Sequence, residues 1–308
     1  MSAADHDGSG GERPARLAVV IITRDRATEL RRTLRALEAL PERPPVVVVD
    51  NGSTDGTAGL VRREFPSVRL LCPGRNLGAA GRNLAMEQLD VPYVAFCDDD
   101  TWWEPGALTL AAEVLDAHPD VAVVTVRILL EPGGRPDPIN DDLRGSLLGR
   151  PSGAAGPLLV SFLAGASIVR RRALLEVGGF RDRLGVGGEE EVVAWDLQRA
   201  GWQLVHVAAC VCHHQPSAAR DPALRRRHGV RNALWTTWLR RPWPSALRRS
   251  LRILRASPAD RVTARGVLDA AAAWRWVRGQ RQVVPPWLEE RLRRFDAVQF
   301  RTGNRSYR

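Results

Sequence analysis

The chain contains no lysine; all 45 of its basic residues are arginine, which with the alanine and glycine load reads as genomic bias. Long apolar runs are missing too. No stretch approaches the ~20 uninterrupted apolar residues of a membrane-spanning helix, and the N-terminus lacks the apolar core of a secretory signal. Cysteine is scarce: Cys72, Cys97, Cys210 and Cys212 all lie in or beside apolar, strand-like runs. That is the usage of reduced, buried thiols, so a reducing cytoplasm and no disulfides are expected. Cys210-x-Cys212-His213-His214 lacks a second ligand pair at finger-like spacing, which favours core cysteines over structural zinc. The strand–turn–helix steps lack G-x-G-x-x-G, which weakens a dinucleotide reading.

What is present allows a sizeable core: 44% of the 308 residues are hydrophobic, enough for one large domain, or a medium domain with an appendage. The net charge of +10 is unevenly placed. Residues 216–308 hold 22 Arg against 6 acids, and residues 1–215 hold 23 Arg against 29 acids. An acidic front and a basic rear suggest two functional surfaces. The expected division is a polar, Gly-rich disordered tail (1–16), a front domain (17–215) and a basic, Trp-rich helical region (216–308).

The pattern in the front part is strand, polar turn, helix, repeated. Leu17-Ala18-Val19-Val20-Ile21-Ile22 reads as a buried strand, ending at Thr23-Arg24-Asp25-Arg26; a helix follows with Leu30, Leu34, Leu37 and Leu40 at helical spacing. Val46–Val49 is a second buried strand, ending in Asp50-Asn51-Gly52-Ser53-Thr54-Asp55-Gly56-Thr57. A third, Val68–Cys72, leads to Asn76-Leu77-Gly78-Ala79-Ala80-Gly81-Arg82-Asn83, where glycines at a helix start and Arg82 suit an anion, or simply close helix–sheet packing. Pro92–Cys97 is a fourth strand ending in Asp98-Asp99-Asp100. Three adjacent carboxylates repel one another unless they share a cation, and hard oxygens suit Mg²⁺ or Mn²⁺; a solvated acidic turn or helix cap is the plainer alternative. A helix from Pro105 to His118 and a fifth strand, Val121–Leu130, make a doubly wound, mostly parallel α/β layer the default.

The ordered set Val20-Ile21-Ile22-Thr23, Asp50-Asn51-Gly52-Ser53-Thr54-Asp55-Gly56-Thr57, Asn76-Leu77-Gly78 and Asp98-Asp99-Asp100 resembles family 2 glycosyltransferases of the GT-A (Rossmann-like) fold, notably bacterial ones. The resemblance covers residues ~17–215 and implies that they form the catalytic domain. It implies that Asp50 binds the nucleotide base, Asp98 the ribose, and Asp100 a divalent metal on the donor diphosphate. Thr23, Asp25, Asn76, Gly78, Arg82 and Asp99 join them as candidate donor-site residues.

Glu131 to Pro157 has no clear period and fits a mobile loop over a site. Leu158–Leu163 reads as a further apolar run before Gly165-Ala166-Ser167, a basic helix Arg170–Glu176 and Gly178-Gly179-Phe180; the family carries a similar segment where its acceptor pocket begins. Glu189-Glu190-Glu191 heads a helix ending at Ala200-Gly201-Trp202, where acids also suit the helix dipole. By resemblance the second acid is the catalytic base, placing it on Glu190, with Glu189 and Glu191 open because Glu replaces the family's Asp. After a last strand, Gln203–Val207, His213 matches a metal-completing histidine of the family, whereas His214 points the other way if the strand continues.

From Gln215 onward, segments such as Ala246–Arg255 alternate apolar and Arg faces, and six of the ten Trp lie here. This suits an anionic membrane surface or a helical appendage packed on the catalytic domain. The expected activity is inverting, metal-dependent transfer from a UDP-, dTDP- or GDP-sugar to an acceptor hydroxyl. A lipid-linked or envelope acceptor is favoured over a small natural product. The expected site is the cytoplasm or its membrane face, and no nucleic-acid partner is expected. The rivals are a sugar-1-phosphate nucleotidyltransferase, disfavoured because Thr23-Arg24-Asp25-Arg26 has no glycine, and a non-catalytic adaptor on the same fold.

Overall fold

A computed structural model describes residues 15–217 and 221–302. The tail expected over 1–16 lies, up to residue 14, outside the described residues. Strand β1 (Leu17–Thr23) is buried along its whole length, as an unbroken apolar run with neighbours on both sides must be. It pairs in parallel with β2 (Val46–Asp50) and β4 (Tyr93–Asp98), and β2 pairs in parallel with β3 (Arg69–Leu71). Helices α1 (Ala27–Glu38), α2 (Thr57–Glu64) and α3 (Gly81–Glu87) make the crossovers. Leu30, Leu34 and Leu37 are the buried leucines of α1, as their spacing requires.

Past β4 the sheet becomes mixed. The elements are β5 (Thr101–Trp103), α4 (Ala107–Ala117), β6 (Val121–Leu130), β7 (Arg135–Pro136), α5 (Ile139–Arg144), β8 (Ala166–Arg170), α6 (Arg171–Glu176), α7 (Glu189–Arg199) and β9 (Gln203–His214). The spatial order is β3-β2-β1-β4-β8-β6-β9-β5, with β7 on the side of β6. β1–β4, β6 and β9 run one way, and β5, β7 and β8 oppose them. The sheet is thus α/β and mostly parallel in strand direction, with β8 inserted antiparallel between β4 and β6.

The apolar run 158–163 is largely buried without forming a strand: the slot beside β4 is taken by Ala166–Arg170, and Leu158 makes only an isolated bridge to Val205. Two expectations are corrected here. The segment 131–157 is anchored rather than free, because buried Asn140 exchanges two hydrogen bonds with the Ile128 backbone, at 2.9 and 2.8 Å. Cys97, Cys210 and Cys212 are buried, but Cys72 is exposed, since it follows the short edge strand β3.

Five helices follow among the described residues: α8 (Pro222–Arg240), α9 (Trp243–Ala256), α10 (Arg261–Ala272), α11 (Trp274–Gln280) and α12 (Pro286–Thr302). Asp221 caps α8, its carboxylate accepting from the Ala223 and Leu224 amides. These helices pack against α7. Arg240 grips Asp196 through two bonds of 2.6 and 2.7 Å, and the Asn232 amide donates to the Leu184 and Gly187 carbonyls. α7 is therefore enclosed between sheet and C-terminal helices, which is why nearly all of its residues are buried. The C-terminal tryptophans divide. Trp235 is buried, donates to the Ala270 carbonyl and meets Trp276 edge-on, while Trp243, Trp274 and Trp287 are exposed.

Candidate active site

The C-terminal ends of β1, β2 and β4 and the N-terminus of α7 open on one cavity of about 790 Å³. This is where an open α/β sheet binds its ligands. Of the residues singled out in the sequence, Thr23, Asn76, Gly78, Arg82, Asp98, Asp99, Asp100, Glu189, Glu190 and Glu191 line it together. Asp25, Asp50 and His213 are outside its wall.

Asp50 is buried at the end of β2, and its carboxylate accepts the Ser53 amide at 2.8 Å. Asp25, in a left-handed conformation at φ 52°, accepts the Thr54 amide at 2.6 Å while its own amide donates to Ser53 Oγ. These two carboxylates order the 51–57 turn from opposite sides. Asn51 bridges onward, accepting from the Leu77 amide and donating to the Gly78 carbonyl. Gly78 sits at φ 55°, and a Cβ there would come within 2.7 Å of the Gly185 backbone. The glycine is required by that close approach, and it carries the loop before α7 on the loop before α3.

Asp98, at the end of β4, is half-buried and accepts from Arg82 Nη2 at 2.8 Å. The segment with Arg82 suits an anion at a helix start or close helix–sheet packing. Its buried guanidinium lies between the Phe96 and Phe180 rings, at 5.5 and 5.2 Å, and links Asp98 to Glu189, 3.9 Å from Nη1. Its Nε and Nη1 have no hydrogen-bond partner among the described residues. Gly165 touches the other side of Asp98: a Cβ there would fall 2.6 Å from Oδ2. Asp99 turns back to Thr23 Oγ1 (3.0 Å) and lies 3.8 Å from Arg26; burial outweighs that cation and pushes its carboxyl up to about 7.

Asp100 is fully buried, and Oδ1 lies 3.7 Å from Nε2 of His214. The expected metal histidine is corrected by strand alternation. β9 continues through 214, so His213 faces the other way, stacking on Trp102 and bonding Glu131 at 2.9 Å. Asp100 and His214 offer a hard oxygen and an imidazole close enough to share one divalent ion, the rest of whose shell must come from ligand and water. Among the described residues, no group of three or more His, Cys, Asp or Glu converges as a metal site.

The three glutamates at the start of α7 have different surroundings. Glu189 is buried, accepts the Gly187 amide and faces Arg82; burial and the charge of Glu190 raise it to about 8. Glu191 accepts from Arg249 at 2.6 Å. Glu190 remains half-buried in the cavity wall, its carboxyl raised by burial, with the Arg82 charge opposing. A half-buried carboxylate of raised proton affinity suits a general base.

Sequence reasoning missed several residues in or beside the cavity wall. His214 was legible from the period of two. Trp195, one helical stretch beyond the glutamates, and Arg225, His228, Phe295 and Asp296 from α8 and α12 carry no local pattern that marks them.

The sequence profile described as Glycosyl transferase family 2 matches residues 18–178. An N-acetylglucosaminyl-diphospho-decaprenol L-rhamnosyltransferase of Mycobacterium tuberculosis is 30% identical over 243 residues, covering 67% of this chain and 79% of that protein. Among solved structures, a mannosyltransferase from Pyrobaculum calidifontis in complex with GDP-Man and Mn2+ aligns with TM-score 0.57 at 20% identity, over 94% of this chain and 88% of that one. The S. aureus TarS 1-349 fragment in complex with UDP-GlcNAc aligns with TM-score 0.58 at 15% identity, over 94% and 92%. At these identities the structural likeness speaks to the fold.

Proposed function

Since the chain belongs to glycosyl transferase family 2, we propose that it moves a sugar, of the deoxyhexose class, from a nucleoside-diphosphate donor to a hydroxyl of a lipid-diphosphate-linked saccharide, with inversion. Membership sets aside the nucleotidyltransferase and the non-catalytic platform. The observation that carries the reading is the single cavity with donor-type carboxylates, Asp98 to Asp100, on one wall and Glu190 on another. The rhamnosyl donor class and the lipid-linked acceptor are suggested by the mycobacterial relative.

In this reading Asp98 holds the ribose, supported by Arg82 and Gly165. Glu190 takes the proton of the acceptor hydroxyl as its oxygen bonds to the anomeric carbon, and the bond from that carbon to the donor diphosphate breaks in the same displacement. Attack from the face opposite the leaving group inverts the centre. Asp100 and His214 would hold a divalent ion, Mn²⁺ or Mg²⁺, whose Lewis acidity would neutralise the leaving diphosphate. Arg82 between Asp98 and Glu189 couples the donor carboxylate to the base helix. The apolar part of the wall, with Leu159, Phe162, Trp195 and Phe295, suits the non-reacting part of an acceptor. No described helix is long and apolar enough to cross a membrane.

The test is a thermal-shift panel of UDP-, dTDP- and GDP-sugars with Mn²⁺ or chelator. A metal-dependent rise with one nucleotide is expected, lost in Asp100→Asn and reduced in His214→Ala but not in His213→Ala. A rise that survives chelator and Asp100→Asn refutes the metal assignment, and no rise with any nucleotide refutes the donor site.

A further inference from the structure

Helix α9 is built inside out. Its buried positions are Ser245, Ala246, Arg249 and Ile253. Ile253 aside, its larger apolar residues point away from the protein: Trp243 is 46% exposed, Leu247 64%, Leu251 44% and Leu254 38%. At 100° per residue these four fall within a stripe about 80° wide. On a soluble helix such a stripe faces the core. Next to it, on the solvent side, lie exposed Arg248, Arg252 and Arg255, and α9 contains no carboxylate. At the N-terminal end the stripe continues into a second tryptophan: Trp274 of α11, 41% exposed, has its ring 5.5 Å from that of Trp243. Arg281 lies 3.8 Å over the Trp243 ring, and Arg278 lines the same depression.

We propose that this outward face of α9 is a docking surface for an anionic lipid bilayer. Leucines in a narrow stripe enter the boundary between headgroups and acyl chains. Tryptophans favour the same depth because one edge is polar, and flanking arginines reach lipid phosphates. A second copy of the chain fits the charge poorly. A two-fold pairing of α9 stripes sets one arginine rim near another, with no carboxylate on either helix to answer it. On its inner face α9 is tied to the catalytic centre: Arg249 donates to Glu191 at 2.6 Å, beside Glu190, and lies 3.6 Å from Asp296, a cavity residue. Docking through α9 therefore fixes the orientation of the base helix relative to the lipid surface. The proposal does not rest on the acceptor reading, because vesicle binding is measured without donor or acceptor.

The experiment is cosedimentation of the full chain with vesicles of phosphatidylcholine alone, or with about 30% phosphatidylglycerol to give the surface potential. Wild type is expected to bind the anionic vesicles only. Leu247→Gln/Leu251→Gln and Arg248→Gln/Arg255→Gln should each weaken that binding roughly tenfold or more, the wild-type binding falling with added salt. All these positions are exposed, and unchanged melting of the variants checks that they fold. Wild type left in the supernatant, or variants that sediment as wild type does, overturns the proposal. So does a wild-type dimer in sedimentation velocity that Leu247→Gln/Leu251→Gln dissociates without affecting vesicle binding, which would assign the stripe to a second copy.

Discussion

Replacing Glu190 by Gln keeps the shape of the cavity wall and removes the only one of the three α7 glutamates that is neither gripped by an arginine nor fully buried. A positioned general base supplies about 10²–10⁴ in rate, or about 3–5 kcal/mol of barrier. The neighbours limit how much of that can be recovered. Glu191 is held by Arg249. Glu189 is buried against Arg82, and burial, the larger cause of its raised carboxyl, persists when the Glu190 charge is removed. The expected result is a fall in transfer of about a hundredfold or more at neutral pH, with the donor-induced melting shift retained. The sign of the pH dependence is also set. The base acts ionised, so wild-type kcat/KM rises with pH through a limb displaced above the ordinary glutamate range, as the raised Glu190 carboxyl requires. The assay is sugar transfer across pH alongside thermal shift with donor. A Glu190→Gln variant within tenfold of wild type refutes the base assignment. A residual rate that climbs steeply with pH would move the role to Glu189.

Two further substitutions test the frame around the site. Arg240→Met strands Asp196, and both partners are at most 4% exposed; breaking a buried pair costs about 3–5 kcal/mol. Arg181, 3.1 Å from the same carboxylate, keeps the loss near the lower figure, so Tm in a thermal melt should fall by several degrees. An unchanged Tm would contradict the tie between α8 and α7. Gly165→Ala places a methyl 2.6 Å from Asp98 Oδ2 and must displace that carboxylate. Calorimetric titration with donor should show affinity several-fold weaker with folding intact, and full affinity would remove Asp98 from the donor site.

Much of the site is legible in the chain because parallel strands put their polar ends in a row. Apolar runs ending in Thr23, Asp50 and Asp98 specify strands whose C-terminal ends lie together, and that alone brings Asp98, Asp99, Asp100 and Asn76 to one crevice. The helix headed by three glutamates is equally plain. Strand alternation distinguishes His213 from His214, but only once the length of β9 is known. Gln203–Val207 reads as a short strand; observed, it runs to His214 because, past an irregularity between Val207 and Val211, β6 pairs with it again and β5 joins on its other side.

Other features were decided by tertiary packing. Leu158–Leu163 is as apolar as a strand, yet β8 fills the place beside β4. Arg82 reads as an anion-binding arginine and becomes a bridge between carboxylates, because Phe96 and Phe180 enclose it and Glu189 arrives from a helix a hundred residues away. The residues after 215 look like an appendage by composition, whereas α8 and α12 close part of the cavity wall and α9 holds Glu191. The amphipathic pattern of α9 specified a helix with two unlike faces but not which one looks outward; the buried partners of Arg249, supplied by α7 and α12, turn the leucines to the surface. The sequence by itself determined the strands, the order of the carboxylates and the kind of chemistry they allow, because those depend on local period and residue type. Which histidine meets Asp100, which glutamate is left for the acceptor and which face of α9 is exposed depend on contacts between distant segments, and only the folded chain decides them.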